Sequence, residues 1–384
     1  MVFLGCLFDR SREKEYLQNS RAGLSNAANT FQWNLLEGFY KNGKDVKIIN
    51  ALPVGTFPKQ YKKLFLKSNS WGENGNNQEV GCINLPFIKQ YQRYLKTKKL
   101  LKNSKDKDII IYSAYEPFLK AAYKLDKSYN ITVVITDLPE FYDLGKTSKL
   151  KRIFRKINNK RIEKYLTRVD KFVLLTEQMA EPLKVGDRPY TVVEGIANGE
   201  PGSSDGLSNK TVLYTGTLHR QFGILTLLKA FSLVDDPKAE LWICGGGDSK
   251  TEVEAAAEKD SRIKFYGYVS KDTVAELQQK AAVLINPRPD EGMYTKYSFP
   301  SKTMEYMLSG KPVLMYKLSG IPAEYDPYLH YIEGNSAEDM KNAICKLFES
   351  DVALLKAQSL AAARFVAENK SSVVQAKRII DFIE

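Results

Sequence analysis

The stretch of sequence that decides the fold is residues 286–313, which reads NPRPDEGMYTKYSFPSKTMEYMLSGKPV. The apolar residues before it predict a buried strand that ends at Asn286, and helical spacing begins after a polar loop, near Ser301. Pro300 suits the first turn of such a helix, and Ser298 is predicted to cap it. A buried strand that leads through a loop into a helix is the repeating unit of an α/β sheet.

The start of this helix is predicted to bind a phosphate group. Its first turn, at Ser301, presents backbone N–H groups and the positive end of the helix dipole. Lys302 and Glu305 are three residues apart and share a face, and Arg288 and Lys296 lie in the preceding loop. The cations would hold a diphosphate, and the carboxylate would accept hydrogen bonds from ribose hydroxyls. The pattern therefore favours a nucleotide as the ligand.

The same alternation of apolar strands and helices runs through the whole chain. In the second half it predicts strands at Val212–Tyr214, Leu241–Cys244, Ile263–Tyr266, Val283–Asn286 and Val313–Tyr316, and helices at Leu225–Val234, Thr273–Ala282 and Ser301–Leu308. In the first half it predicts a helix at Ser25–Asn42 and strands at Val2–Phe8, Val46–Leu52, Ile109–Ala114, Ile131–Ile135, Phe172–Leu175 and Thr191–Val193. Such apolar runs are typical of parallel strands that are buried on both faces.

A change of composition divides the chain into two domains. Residues 195–209 are rich in Gly, Ser, Asn and Pro, which predicts a linker. We therefore predict an N-terminal domain at 1–195, a linker at 196–210, a C-terminal domain at 211–365 and a helical end at 366–384. Ligands of open α/β sheets bind at the carboxyl ends of the strands, so a cleft between the domains is expected there.

Composition restricts the partners and the cofactors. The chain has 384 residues and a formal charge of +12, but no run of about 18 apolar residues that could span a membrane. The apolar start, Met1–Phe8, has no preceding basic residues and predicts a first strand, not a signal peptide. Four cysteines and two histidines are widely separated, so no metal site is expected. The Asp-Lys-Asp triplet at Asp106–Asp108 is interpreted as a solvated turn.

Several segments of the second half resemble a known family, among them Phe265–Val269. Phe299–Val313 is similar to the donor-site signature of the family 4 glycosyltransferases, in particular those of bacterial capsule and exopolysaccharide synthesis. That family has a Glu-x7-Glu motif at this place. Glu305 stands at the second Glu, which the resemblance implies to be a ribose contact, and Tyr297 stands at the first, which contacts the donor sugar in the family. Val212–Phe231 resembles the family's first C-terminal strand, glycine turn and helix.

The resemblance implies the GT-B fold, an α/β fold with two Rossmann-like domains that face a cleft. The last helix, within 366–384, is then expected to pack back on the N-terminal domain. The C-terminal domain would bind a nucleotide-diphosphate sugar and the N-terminal domain an acceptor. The resemblance further implies that the sugar is transferred with retention of its anomeric configuration and without a metal, the leaving diphosphate being stabilised by cations and the helix dipole.

The resemblance also implies further donor-binding residues. Gly216 would let the backbone approach a phosphate closely. Many family members place an Arg and a Lys where this chain has Thr217 and Phe222, so Arg220 is the nearest replacement. Backbone groups of Tyr268 and Val269 would contact the nucleobase.

In the first half, Arg21–Thr30 resembles the acceptor-side glycine loop of the family. Gly23 could let an acceptor approach the backbone, and Asn26 and Asn29 could donate hydrogen bonds, although a capped helix explains the same residues. Asp137 follows a predicted strand and is the candidate to replace a His that relatives carry there. Two further carboxylates at strand ends are Glu116 and Glu140.

Positive charge is concentrated in the first half. Lys146–Lys171 holds 11 Lys or Arg and 2 Asp or Glu, and apolar residues recur at helical spacing, at Leu150, Ile153, Phe154 and Ile157. The segment Gln90–Lys107 is similar. Anionic lipid attracts such helices, although a solvated basic face explains them equally well. The apolar stripe is expected to pack on the domain core.

Together these features predict a cytoplasmic glycosyltransferase at the inner face of a membrane, with a glycan or polyprenyl-diphosphate-linked acceptor. Two alternatives share the fold: a nucleotide-sugar 2-epimerase, which needs more acid and base groups than are visible, and a partner subunit without catalysis. A nucleic-acid binder is disfavoured because no recognition helix or aromatic RNA motif accompanies the basic segments. The sugar, the nucleobase and the acceptor are left open.

Overall fold

The computed structural model describes residues 1–21, 23–72, 75–139 and 149–384. The chain forms two compact units. The first comprises Met1–Ile196 together with Ser372–Glu384, and the second comprises Ala197–Ser371. Glu140, one of the carboxylates singled out in the sequence, lies outside the described residues.

The first unit is built on a mostly parallel sheet. Its strands are β1 (Val2–Gly5), β2 (Lys47–Asn50), β4 (Asn69–Trp71), β5 (Asn77–Glu79), β7 (Asp108–Tyr112), β8 (Asn130–Ile135), β9 (Lys171–Leu174) and β10 (Tyr190–Val192). In the described part of the chain the order is β10-β9-β8-β7-β1-β2-β5-β4, with only β4 antiparallel. Two short strands, β3 (Phe65–Leu66) and β6 (Cys82–Ile83), pair separately. Strand β1 lies between β2 and β7, so the chain adds strands first on one side of β1 and then on the other. The strand order therefore reverses beside β1.

Helices flank this sheet. They are α1 (Glu13–Asn19), α2 (Asn26–Lys41), α3 (Ile88–Asn103), α4 (Glu116–Tyr123), α5 (Lys149–Leu166) and α13 (Ser372–Ile383). The last of these packs on α2, where Gly38 makes close approach possible: a Cβ there would lie 2.0 Å from the carbonyl oxygen of Ser372. Ala376 and Ile379 belong to the same buried core as Phe3 and Phe39. The end of the chain thus completes the core of the first unit.

The second unit has a wholly parallel sheet. Its strands are β11 (Thr211–Thr217), β12 (Glu240–Gly246), β13 (Ile263–Gly267), β14 (Val283–Asn286), β15 (Val313–Met315) and β16 (His330–Tyr331), in the order β13-β12-β11-β14-β15-β16. Its helices are α6 (Ile224–Ser232), α7 (Lys250–Lys259), α8 (Lys271–Lys280), α9 (Met293–Lys296), α10 (Ser301–Leu308), α11 (Ala337–Glu349) and α12 (Val352–Asn369).

Two chain segments differ in detail from the sequence-based boundaries. The predicted linker has no regular secondary structure, but it is held against the second unit: the Gly202 N–H donates to the Leu308 carbonyl at 2.8 Å, and Lys311 donates to the Asp205 carbonyl. The segment predicted as a helical end, 366–384, belongs to two helices. Helix α12 continues to Asn369 in the second unit, and α13 begins at Ser372 in the first unit. Among the described residues, no helix is both long and apolar enough to cross a membrane.

Candidate functional site

In the second unit, glycines bring neighbouring loops together at the carboxyl ends of β11 and β12. Gly216 pairs with Gly245 in the strand register. Gly245 has a φ of +132°, and a Cβ there would lie 1.8 Å from the Gly216 carbonyl oxygen. A Cβ on Gly247 would lie 2.4 Å from the Leu218 carbonyl oxygen. This end of the sheet is therefore a floor of backbone atoms, which is the surface that a phosphate group can approach.

Helix α10 is fixed above this floor by Tyr306. The buried Tyr306 hydroxyl accepts a hydrogen bond from the Thr215 N–H at 2.9 Å and donates to the Thr215 carbonyl at 3.1 Å. Burial raises the pKa of Tyr306, so the group stays a phenol that can do both. Lys302, one turn earlier, places its Nζ 3.2 Å from the Thr215 Oγ1. Tyr306 could not be identified from the sequence, because an aromatic residue on a helix looks like any other core residue.

The predicted cap of α10 is wrong. The residue before the helix is Pro300, and no side chain among the described residues caps its first turn. The Ser298 hydroxyl instead accepts a hydrogen bond from Arg288 at 2.9 Å. Ser301 is exposed at the helix start, and the Thr303 N–H donates to the Pro300 carbonyl at 2.9 Å. The N–H groups of Ser301 and Lys302 are therefore the ones left for a ligand.

The other predicted cations lie in two loops of the same unit. The Arg288 guanidinium lies 5.6 Å from the centre of the Phe222 ring, which brings the loop after β14 against the loop after β11. Arg220 is in that second loop, but its side chain forms an ion pair with Glu252 on α7. Lys296 is exposed and lies over the Tyr297 ring at 5.8 Å. The structure therefore brings Arg288 and Phe222 together and holds Arg220 toward α7.

The positions expected to contact the nucleoside and the sugar differ in exposure. Glu305 is exposed and accepts a hydrogen bond from Gln278 at 3.0 Å. The Tyr268 side chain is 86% exposed. Its ring covers the glycine turn, because a Cβ on Gly246 would lie 2.4 Å from a ring carbon of Tyr268. Val269 follows directly and is half-buried. Tyr297 is only 8% exposed, so the residue at the place of the family's first Glu belongs to the core.

In the first unit, three amide side chains hold the loop after β1. Gln32 exchanges two hydrogen bonds with the backbone of Cys6, Asn50 does so with Leu7, and Asn29 does so with Phe8. The Asn29 bonds measure 2.9 and 3.1 Å, and its side chain is 2% exposed. The expectation that Asn29 donates to an acceptor is therefore wrong: it fixes the loop.

The remaining acceptor-side candidates are accessible. Gly23 has a φ of +76°, and a Cβ there would meet nothing within 4 Å. Asn26 is exposed at the start of α2 and donates to Glu13 at 3.1 Å. Asp137 is exposed just after β8, and the Thr136 hydroxyl donates to it at 3.3 Å. Desolvation by its neighbours raises the pKa of Asp137, and the hydrogen bond from Thr136 opposes this effect.

The apolar stripe of the basic helix α5 does not pack as expected. Ile153, Phe154 and Ile157 are all exposed, whereas the sequence predicted that they pack on the domain core. The Phe154 ring contacts that of Phe87, at the start of α3, with 5.7 Å between ring centres. The side chain of Leu150 lies outside the described residues. A cationic helix thus presents aromatic and aliphatic side chains to solvent.

Comparisons with known proteins agree with this architecture. Residues 209–350 match the family model described as Glycosyl transferases group 1. No curated protein matches the sequence. Sucrose-phosphate synthase from Thermosynechococcus elongatus has a similar structure, with 13% identity, a TM-score of 0.70, and coverage of 99% of this chain and 97% of that one.

Residues 209–350 are therefore similar to a glycosyltransferase domain. The fold of the chain is GT-B. Anabaena HepE in complex with UDP has 14% identity and a TM-score of 0.62 over 99% of this chain and 98% of that one. A structure of S. aureus TarM in complex with Fondaparinux, alpha-GlcNAc-glycerol and UDP has 16% identity and a TM-score of 0.57. The match covers 86% of this chain, which spans 66% of TarM.

We expect Tyr306→Phe to destabilise the second unit. The change leaves the buried Thr215 N–H without its phenol partner, which should lower the free energy of unfolding by about 1–3 kcal/mol. Urea denaturation measures the change. Tyr266→Phe is the matched control because the Tyr266 side chain is exposed, and it should have little effect. Equal stability of both variants would contradict the assigned hydrogen bond.

Proposed function

We propose that this chain is a family 4 glycosyltransferase that moves a sugar from a nucleotide-diphosphate donor to a glycan or lipid-linked acceptor in cell-surface polysaccharide synthesis. The observation that carries the proposal is the arrangement at the end of β11. There, Lys302 and the uncapped first turn of α10 lie beside a floor of glycine backbone. The family-model match over residues 209–350 and the UDP bound in the HepE structure support a nucleotide-sugar donor.

Each donor-side residue has a role in this proposal. Lys302 and the N–H group of Ser301 hold the diphosphate above Gly216. Glu305 accepts hydrogen bonds from the ribose, and it can exchange its present partner, Gln278, for a hydroxyl. The other contributors are the cations Arg220, Arg288 and Lys296 and the backbone at Tyr268 and Val269, which meets the nucleobase.

The charge that develops on the leaving diphosphate is stabilised by Lys302 and the dipole of α10, since fixed charges and dipoles need no reorganisation during the reaction. Retention of anomeric configuration is part of the same proposal. Residue 297 is a buried Tyr, so the donor sugar meets no carboxylate at that position. Other groups must therefore orient the sugar.

On the acceptor side, Asp137 and the turn at Gly23 are the proposed contacts. The glycan ligands named for the TarM structure support an acceptor of this class.

We expect the protein to bind a nucleotide sugar and to turn it over without added metal. Among the described residues, no group of three His, Cys, Asp or Glu side chains is placed to hold an ion. A panel of UDP- and GDP-sugars should be titrated while thermal unfolding is followed. A donor at 100 times its Kd stabilises the folded state by about 2.7 kcal/mol. Transfer with the selected donor should then persist in excess chelator.

Three outcomes of this assay would count against the proposal. Activity that chelator abolishes and manganese or magnesium restores would overturn the metal-independent mechanism. Donor binding without any transfer would indicate a partner subunit that lacks catalysis. Conversion of the donor sugar to an epimer would indicate a 2-epimerase.

We further propose that the protein works in the cytoplasm, at the inner face of the membrane, through α5. Replacing Lys151, Arg152, Arg155 and Lys156 with Gln removes four of its cations. Each cation near an anionic surface contributes about 1 kcal/mol, so the variant should lose at least about tenfold in binding. Sedimentation with vesicles that contain phosphatidylglycerol measures this. The wild-type protein should leave them at high salt, because screening shortens the range of the attraction.

The matched control removes four cations from the second unit, at Lys250, Lys259, Lys271 and Lys280. This control should bind vesicles as the wild-type protein does. Equal sedimentation of the wild-type protein with neutral and anionic vesicles, or with neither, would refute membrane contact through α5. Loss of transfer to a soluble acceptor in the α5 variant would assign these cations to the acceptor instead.

A further inference from the structure

A groove in the first unit is lined by the start of α3, by α4 and by α5. It encloses about 550 Å³. One wall is apolar and consists of Phe87, Tyr91, Phe154 and Ile157, all of which are exposed. Exposed aromatic side chains grouped at a concave surface mark a binding site more often than chance, because single exposed apolar residues are normally scattered.

The backbone at Phe87 supports a binding role for this wall. Phe87 has a φ of 62°, which is unfavourable for a residue with a side chain, and its ring is 68% exposed. Strained backbone that holds an apolar ring in solvent persists where the surrounding structure enforces it, and such positions cluster at ligand sites. The ring of Phe154 meets it from α5.

A buried lysine lines the groove, and a buried arginine that does not line it follows one turn later on α3. Lys89 lines the groove, is 5% exposed, and donates to the carbonyl of Val54. Arg93, one turn later on α3, is 2% exposed and donates to the Tyr115 hydroxyl at 2.9 Å and to the Leu52 carbonyl at 2.8 Å. Within the described residues, neither cation forms an ion pair with a carboxylate. Burial, and next the charge of Arg93, lower the pKa of Lys89 to about 7.

Two neighbouring buried basic groups are both charged at low cost only where an anion compensates them, so a bound anion would favour the charged form of Lys89. Their position suits a ligand, since Leu52 follows β2 and Tyr115 follows β7, the two neighbours of β1. This edge is where an open α/β sheet binds its ligands. Lys120 and Arg161 add two cations to the lining, and Glu116 adds one carboxylate. The lining is therefore apolar on one side and positive on the other.

We propose that this groove binds the phosphorylated lipid of a lipid-linked acceptor. The isoprenoid chain lies along Phe87, Phe154 and Ile157, and the phosphate groups are held by Lys120 and Arg161, with Lys89 beneath them. The inference rests on the proposed function, because it selects the lipid-linked acceptor from the classes that a glycosyltransferase of this kind could use.

Farnesyl diphosphate is the probe, and calorimetry on the full-length protein is the measurement. It should bind at least about tenfold more tightly than inorganic pyrophosphate or farnesol, because only the diphosphate ester occupies both sides of the groove. Phe154→Ser and Arg161→Gln should each weaken the binding at least about fivefold. The matched controls are Leu95→Ser and Lys160→Gln, exposed residues of α3 and α5 that do not line the groove, and they should bind as the wild-type protein does.

Lys89→Met separates a binding role from a structural one. If Lys89 serves a ligand, this variant should lose affinity for farnesyl diphosphate at least about tenfold, while the ligand-free protein is as stable as the wild-type protein or more so. If Lys89 serves only to hold Val54, the variant should be less stable and bind the probe unchanged, which would overturn the proposal.

The absence of farnesyl diphosphate binding would also overturn the proposal. If phosphatidylglycerol vesicles then still bind through Phe154, the groove is a general membrane contact. Titration of UDP-sugars with the same protein separates this inference from the proposed function. Donor binding without probe binding refutes the inference alone. Probe binding without donor binding refutes the donor-site assignment and leaves a lipid phosphate site.

Discussion

Lys302→Ala should lower the affinity of the protein for its nucleotide sugar by about 10- to 100-fold. Hydrogen bonds to charged groups contribute about 1.5–3 kcal/mol, and each 1.4 kcal/mol is a factor of ten in Kd. The fold should survive, because the side chain reaches only the Thr215 hydroxyl at the edge of the glycine floor. Calorimetric titration of the donor chosen by thermal shift measures the change. Glu305→Ala should weaken donor binding less, since the contact proposed for Glu305 is with the ribose alone.

Lys259→Ala is the matched control for Lys302→Ala. Lys259 is an exposed residue at the end of α7, and its replacement removes the same charge from the same unit. Both the nucleoside diphosphate and the intact sugar nucleotide should be titrated. If Lys302 contacts the diphosphate, its loss should weaken the binding of both ligands to a similar degree. Unchanged donor affinity in both Lys302→Ala and Glu305→Ala would remove the donor site from the start of α10.

Gly245→Ala should have the largest effect on stability, a loss of more than about 3 kcal/mol in the free energy of unfolding. Its φ of +132° is reserved for glycine, and the new Cβ would lie 1.8 Å from the Gly216 carbonyl oxygen. The backbone of β11 and β12 cannot separate without breaking their register, so the clash must displace Gly216. Urea denaturation measures the stability, and donor binding should be lost with the floor of the site.

Gly267→Ala separates backbone strain from the steric clash. Gly267 also has a positive φ, +64°, but a Cβ there would meet nothing within 4 Å. A left-handed conformation costs about 1–2 kcal/mol for a residue with a side chain, so this control should be destabilised by that amount only. If Gly245→Ala is no less stable than Gly267→Ala, the two strands do not approach each other as closely as the structure indicates.

The sequence alone predicted the central strands and the fold class, because their signal is local. The apolar runs around Phe3, Ile110 and Val133 identify strands buried on both faces, and β14 and α10 begin and end where the pattern predicts. Strands β4, β5 and β16, which lie at or next to the edge of a sheet, were not predicted. They are short and partly exposed, so a periodic apolar pattern does not identify them.

The candidate donor site was predicted in outline and not in its connections. The loop and helix of residues 286–313 indicated the cations and Glu305, but the sequence could not show that Tyr306 is bonded to Thr215, 91 residues away. It also could not show that Arg220 pairs with Glu252. These partners depend on which strands are neighbours, and no spacing along the chain encodes that.

What the sequence determined by itself is the alternation of elements, the glycines at the strand ends and the excess of positive charge on α3 and α5. These follow from periodicity and composition, which act over a few residues. The tertiary structure decided which polar side chains are consumed by the fold and which stay accessible. Asn29 was predicted to contact a ligand, but it is buried and bonded to the backbone of Phe8. Phe154 was predicted to pack in the core, but it is exposed and its ring contacts that of Phe87. Burial is a property of the packed sheet and helices, so only the folded chain distinguishes the two.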